Sequence, residues 1–246
     1  MNVYFLSDIH LRDGNDAQGT RLVSFLSSKP VAGDAVILGG DIFDLLVGNK
    51  RIFRQRFASV LAAIEGAGAR GVSVSYLEGN HDFHFAGMFE GKKGVSVFYD
   101  DFDLAAHNRR IWVSHGDLID KSDYGYRFLR AFTKNFLFRL FVAALPDFVV
   151  DLIGRFSSKR SRDYTSQKGS DLALERVRNL YVSFAREKVR TGTDHVLVGH
   201  SHLRDQIAIK DGPHIGEYVN LGFAGDRLVY AVLEQGADKF AMRELE

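Results

Sequence analysis

Residues 72–83 read VSVSYLEGNHDF. The first six residues, through Leu77, form an apolar run of strand-like composition. The close of the stretch sets an amide, an imidazole and a carboxylate, Asn80, His81 and Asp82, between Gly79 and Phe83. A packed core has no use for three adjacent polar groups at a strand end, whereas a metal or ligand site does. Four other apolar runs end in the same manner. Residues 2–6 lead into Asp8-Ile9-His10, 35–38 into Gly40-Asp41-Ile42-Phe43-Asp44, 110–113 into His115-Gly116-Asp117, and 194–198 into Gly199-His200-Ser201-His202. Helical periodicity is present over 51–67 and over 169–190, where Leu172, Leu174, Val177, Leu180 and Phe184 are the apolar positions. Short apolar runs near 206–209, 215–221 and 228–233 read as antiparallel strands. This pattern predicts an α/β sandwich with mixed sheets, its polar tips gathered at the strand ends, where open α/β sheets place their ligands.

The chain has 246 residues, 46% hydrophobic and 26% charged, the proportions of a globular protein with a sizeable core. A net charge of +1 gives no overall field that would select nucleic acid or a membrane, so any charge preference is local. The absence of cysteine excludes disulfides and thiolate metal sites, and fits a reducing compartment. Residues 1–8 have neither the basic start nor the apolar stretch of a secretory signal, which predicts a cytoplasmic protein. The most apolar region, 136–153, is interrupted by Arg139, Pro146, Asp147 and Asp151, too often to span a bilayer.

Residues 124–168 depart from the strand–tip–helix rhythm. They hold ten aromatics, seven of them Phe, and nine Lys or Arg against three Asp. Phe128, Phe132, Phe136 and Leu140 recur every four residues, as one face of a helix would; Pro146 is expected to break it, with a second helix expected over 148–156. A helix pair burying its apolar face on the core is the ordinary reading. The basic other faces suit contact with something both apolar and anionic.

Together the tips offer Asp8, His10, Asp41, Asn80, His115, His200 and His202 as oxygen and imidazole donors, with no sulfur. That set suits Mn, Fe, Zn or Mg. Seven donors exceed one tetrahedral site and suffice for two cations sharing a carboxylate, an arrangement that activates water and clamps a phosphoryl oxygen. In their order and spacing these motifs resemble the calcineurin-like metallophosphoesterase superfamily. The resemblance implies a four-layer α/β/β/α sandwich: a single domain over 1–246 with a helical insertion, a lid, at about 124–165. It implies two divalent cations, Mn²⁺ first among the candidates. Asp8, His10, Asp41 and His202 would hold one, and Asp41, Asn80, His115 and His200 the other, with Asp41 bridging.

Between the fourth and fifth tips, Asp123-Tyr124-Gly125-Tyr126, the Phe-rich basic helices around Leu145-Pro146, and Ser161, Thr165 and Lys168 resemble the UDP-2,3-diacylglucosamine pyrophosphatases of lipid A biosynthesis. That resemblance implies hydrolysis of a UDP-linked diacylated glucosamine lipid at the cytoplasmic face of the inner membrane, by a peripheral protein that does not act on nucleic acid. Asn80, His81, Asp123, Ser161, Thr165, Lys168 and His200 would contact substrate. Those enzymes carry Arg after the metal-binding Asn; His81 here follows the wider superfamily, in which it protonates the leaving group or stabilises phosphoryl charge, oriented by Asp82. Asp44 and Asp117 are expected to hydrogen-bond the metal-binding side chains, and His84, His107, His195 and His214 to be ordinary polar residues. The alternatives are a soluble phosphomonoester, nucleotide or nucleic-acid end as substrate, and a scaffold without catalysis, against which the seven intact donors speak.

Overall fold

The computed structural model describes residues 1–154, 171–225 and 227–245. In chain order the strands are β1 (Val3–Leu6), β2 (Ala35–Leu38), β3 (Leu46–Val47), β4 (Ser73–Leu77), β5 (Asp82–Phe83), β6 (Val95–Phe98), β7 (Phe102–Ala106), β8 (Arg109–Ser114), β9 (His195–Val198), β10 (Arg204–Asp211), β11 (His214–Leu221), β12 (Val229–Leu233) and β13 (Ala241–Glu244). The helices are α1 (Ala17–Ser28), α2 (Arg51–Arg56), α3 (Ala58–Ala69), α4 (Tyr124–Thr133), α5 (Phe136–Ala144), α6 (147–154 within the described residues) and α7 (Asp171–Arg190).

Two sheets form the frame. One has the order β13-β12-β1-β2-β4-β6, and the other β10-β11-β9-β8-β7. Strands β1, β2, β4 and β6 run parallel, as do β8, β9 and β11, with antiparallel strands at the margins. Alternation along each strand explains the layering. From β1, Val3 and Phe5 face inward with Ala35, Ile37 and Leu77 to meet Ile111, Val113, Leu197, Val219 and Leu221 of the other sheet. Tyr4 and Leu6 face outward, where Leu22, Phe25 and Leu26 of α1 and Val60 and Ile64 of α3 cover them. On the far side Tyr181, Ala185 and Val189 of α7 pack on Val196, Val198 and Tyr218. The architecture is a four-layer α/β/β/α sandwich. Strands buried on both faces must be apolar throughout, so β2 reads AVIL with no alternation.

Three expectations change. The helix predicted over 51–67 is two helices. Phe57 leaves helical geometry (φ −109°, ψ 20°), its ring packs 4.4 Å from that of Phe43, and the Arg56 carbonyl accepts the Gly14 amide. The helix predicted through Phe128, Phe132, Phe136 and Leu140 is also two, because Asn135 caps α5 by accepting from the Phe138 amide at 2.8 Å.

The third correction concerns direction. Phe128, Phe132, Phe136 and Leu140 do not bury against the core; each is about half exposed or more, Phe128 at 76%. Helix α4 has no buried residue, and the side chains it turns most inward are Tyr126, Arg130 and Thr133. Its amphipathicity is inverted, with rings outward and polar groups inward. Polar straps hold α4–α6 to the sandwich. Lys50 Nζ donates to the carbonyls of Ala143 and Leu145 (2.9 and 2.5 Å), the Ile52 amide donates to Asp147, and Arg56 pairs with Asp151 at 2.7 Å. No helix among the described residues is long and apolar enough to cross a membrane.

Candidate metal centre

The parallel frame carries β1, β2 and β4 in one sheet and β8 and β9 in the other to the same edge, so all five tips converge. Their loops are knitted across the sheets. The His200 amide donates to Asp8 Oδ1 (2.8 Å), and His115 Nδ1 bonds the Gly39 carbonyl (3.0 Å). Asp8, His10, Asp41, His200 and His202 all have φ between 53° and 66°. The left-handed region costs an L-residue on the order of 1–2 kcal/mol. Five such residues at one edge mark a site whose geometry the surrounding packing over-determines.

The seven predicted donors come together in two groups. Asp8, His10 and His202 form one cluster of potential ligand atoms, and Asp41, His115 and His200 another. In the first, His202 Nε2 lies 3.6 Å from Asp8 Oδ1 and 3.2 Å from His10 Nε2. In the second, Asn80 Oδ1 lies 3.0 Å from His115 Nε2 and 2.9 Å from His200 Nδ1. Asp41 stands between them. Its Oδ1 accepts the His81 amide (2.9 Å), while Oδ2 faces His115 Nε2 at 3.5 Å and His10 Nε2 at 3.8 Å. Gly79 permits this approach, since a Cβ there would collide with Asp41 Oδ1.

The electrostatics fit a cation site. Asp8 is wholly buried, its Oδ2 has no hydrogen-bond partner, and desolvation pushes its pKa up to about 7 against the pull of His115. Burial holds His10 down at about 3 despite Asp41, leaving a neutral imidazole that can act as a ligand. Burial alone would lower His115, but the Asp41 carboxylate outweighs it and lifts the imidazole to about 10. Burial would likewise raise Asp41, yet His115 and His81 hold it well below the usual carboxylate range. A buried carboxylate oxygen without a donor, beside neutral imidazoles, is the environment a divalent cation satisfies.

The expectation that Asp82 orients the His81 ring is corrected. Asp82 Oδ1 accepts from the amides of Asp41 and Gly79 (both 2.9 Å), and Oδ2 from the Ile42 amide (2.8 Å) and the Tyr76 hydroxyl (2.7 Å). The carboxylate staples the β2 and β4 tips together. The His81 ring is instead held through Nδ1 by the Asp44 carbonyl at 2.9 Å. Removing Asp82 leaves buried donors without an acceptor, at about 1–3 kcal/mol each. Asp82→Ala should therefore lose about 3–5 kcal/mol of stability, read as a lower urea midpoint in metal-free protein. An unchanged midpoint would show that the staple carries no stability.

The remaining predicted positions divide. The Asp44 carboxylate lies 3.9 Å from His10 Nδ1. Asp117 faces the helices instead of a predicted donor, accepting from Tyr126 Oη (2.8 Å) and Arg130 Nε (2.6 Å). Asp123 caps α4 through the Tyr126 amide. Ser161, Thr165 and Lys168 lie outside the described residues. His84 locks the helices by bonding the Thr133 carbonyl at 2.8 Å, His107 bonds the Met1 carbonyl, His195 pairs with Glu217, and His214 opens β11.

Sequence reasoning did not single out a cavity of about 360 Å³ that opens beside Asn80 and His81. Leu45, Val47 and Phe83 form its floor, and Leu129, Phe138, Phe141, Val142 and Leu145 are among its walls. Phe138, Val142 and Leu145 turn inward from the Phe128/Phe132/Phe136 stripe, whereas Leu129 and Phe141 are more than half exposed where they line the cavity. Lys134, which reaches back to the Glu78 carboxylate at 3.7 Å, lines the same space.

A UDP-2,3-diacylglucosamine hydrolase of Shigella sonnei is 28% identical over 205 residues, 82% of each chain. One of Aeromonas salmonicida is 31% identical over 148 residues, 59% of this chain and 57% of that one. Among solved structures, an archaeal phosphodiesterase superposes over the full length of both chains with a TM-score of 0.49 at 11% identity. The family model of the calcineurin-like phosphoesterases matches residues 1–204, a span that contains all five tips. With its sandwich and its edge of convergent carboxylates and imidazoles, the chain belongs to the calcineurin-like phosphoesterase family.

Proposed function

We propose that this phosphoesterase hydrolyses the diphosphate of UDP-2,3-diacylglucosamine, giving UMP and 2,3-diacylglucosamine 1-phosphate. The observation that carries the reading is adjacency: Asn80 belongs to the donor cluster and, with its neighbour His81, lines the apolar cavity. A substrate with a diphosphate at one end and acyl chains at the other fits that junction. The hydrolases of Shigella sonnei and Aeromonas salmonicida support it by name.

Asp8, His10, Asp41 and His202 would hold one divalent cation and Asp41, Asn80, His115 and His200 the second, with Mn²⁺ the first candidate. When bound, such ions supply Lewis acidity toward phosphoryl oxygens and lower the pKa of water. The chain's own groups do the rest. Because a carbonyl only accepts, His81 Nδ1 carries a proton toward Asp44, which leaves Nε2 facing the site; in the imidazolium form it gives its proton to the departing oxygen, and the ring is then the neutral Nδ1–H tautomer. Lys134 offers positive charge at the cavity wall, and we propose that Asp123, with Ser161, Thr165 and Lys168 outside the described residues, also binds substrate. In this reading helices α4–α6, within the described residues, serve as the lid of a single domain.

The outward rings give the lid a second task. Phe128, Phe132, Phe136, Leu137 and Leu140 are exposed, with Arg127 and Arg139 among them. Each buried methylene adds about 0.8 kcal/mol, and each cation near an anionic leaflet about 1 kcal/mol. This supports peripheral attachment to the cytoplasmic face of the inner membrane.

Leu129→Trp narrows the cavity from a side chain that is itself 54% exposed, so folding should be little affected. Release of UMP from the diacylated substrate should fall at least tenfold, with hydrolysis of a small chromogenic phosphodiester kept. Equal losses on both substrates would remove the cavity from the substrate site. A second reading, a soluble phosphoester substrate, is favoured by His81, which matches the general superfamily residue at that position. It would be supported if the chromogenic ester were cleaved and the lipid left intact.

A further inference from the structure

The loop after β11 adds a group that the reading above does not use. Phe223 is 47% exposed, yet it sits against the donor cluster. Its ring stacks on His202 (centroids 5.2 Å apart, planes 29° apart) and leans on His10 (5.7 Å, 55°). The position is built into the fold. The Ala224 amide donates to the Asp8 carbonyl at 3.2 Å, and Asn220 accepts the Gly222 amide at 2.9 Å while donating to the Gly199 carbonyl at 3.1 Å. Gly222 turns the chain at φ 70°. Singly exposed apolar residues are ordinary on a protein surface. One held over two imidazoles of a catalytic edge, with much of its ring open, is a binding surface in waiting.

Its placement assigns a direction. His81, on the cavity wall, meets His10 edge-on at 4.9 Å, and His10 in turn meets Phe223. A row of rings therefore runs from the cavity mouth across the cluster to Phe223. A phosphorus atom bound at the cluster carries substituents toward both ends of that row. The apolar end takes the cavity, and the other end passes Phe223. Aromatic side chains stack on nucleobases of any sequence because every base has a π-face. We infer that Phe223 is the stacking platform for the nucleobase of a nucleoside monophosphate unit, uracil if the substrate is the one proposed above. The inference rests on the phosphoesterase reading for the place of the phosphate, and it does not depend on the lipid. It predicts weak discrimination among bases, because no hydrogen-bond readout is involved.

Calorimetric binding of UMP and of ribose 5-phosphate to Mn²⁺-supplied protein tests it, in wild type and in Phe223→Ala, Phe223→Leu and Phe223→Trp. Stacking contributes about 1–3 kcal/mol per base, so Phe223→Ala and Phe223→Leu should weaken UMP roughly 5- to 150-fold. Ribose 5-phosphate should bind unchanged, and Phe223→Trp should restore UMP. UMP and ribose 5-phosphate weakening alike would mean that the ring only props His202, and would overturn the proposal. So would UMP affinity unaffected by Phe223→Ala. Phe223-dependent UMP binding in a protein that leaves UDP-2,3-diacylglucosamine intact would sustain the platform and sink the lipid reading.

Discussion

Asp41→Ala is expected to abolish turnover and to lower bound metal at both sites. No other predicted donor faces both clusters: Asp41 Oδ2 looks toward His10 at 3.8 Å and His115 at 3.5 Å, while Oδ1 anchors the His81 amide. Truncation removes the only carboxylate of the second group, leaving Asn80, His115 and His200, and takes one anionic oxygen away from the first. Asp41→Asn keeps the shape and loses the charge, and should fall between. Elemental analysis of the dialysed variant is the check. Two equivalents of metal still bound to Asp41→Ala would contradict the bridging assignment, whatever happened to the rate.

His81→Ala is the second large effect, expected to cost roughly 10²–10⁴-fold in kcat, the range for a positioned acid. Folding should survive, because the His81 ring bonds a backbone carbonyl, and both metals should stay, because all seven predicted donors are intact; a lost metal would show that the group of His10, Asp44 and His81 holds one. His81→Arg should be better tolerated than His81→Ala if the site needs positive charge next to the phosphate. Arg as damaging as Ala would show a site built around imidazole, and near-normal kcat in His81→Ala would remove the residue from the chemistry. Steady-state kinetics on metal-quantified protein separates these outcomes.

Much of this was legible in the chain because the site lies at strand ends, where a run such as AVIL stops and GGDIFD begins. The five tips needed only their order to be read as one constellation, and β2 starts and ends where its apolar run does. Edge elements were harder. Strands β6, β7 and β13 are partly exposed and short, so their alternation carries little signal. Helix α1 was missed although Asp16 caps it and Leu22, Phe25 and Leu26 give its buried face. Periodicity locates a stripe but not its direction. Phe128 and Phe132 recur as core residues would and face solvent, since it is Tyr126 and Arg130 that reach Asp117. The staple from Asp82 to Asp41 and the contact of Phe223 with His10 join loops far apart in the chain, which local reading does not reach.

The most direct test of the central claim is to supply chelator-stripped protein with Mn²⁺ and UDP-2,3-diacylglucosamine and to follow phosphorus-containing products by NMR. UMP and 2,3-diacylglucosamine 1-phosphate should appear in equal amounts, and neither without metal. Hydrolysis of a chromogenic phosphodiester under the same conditions, with the lipid substrate untouched, would contradict the claim.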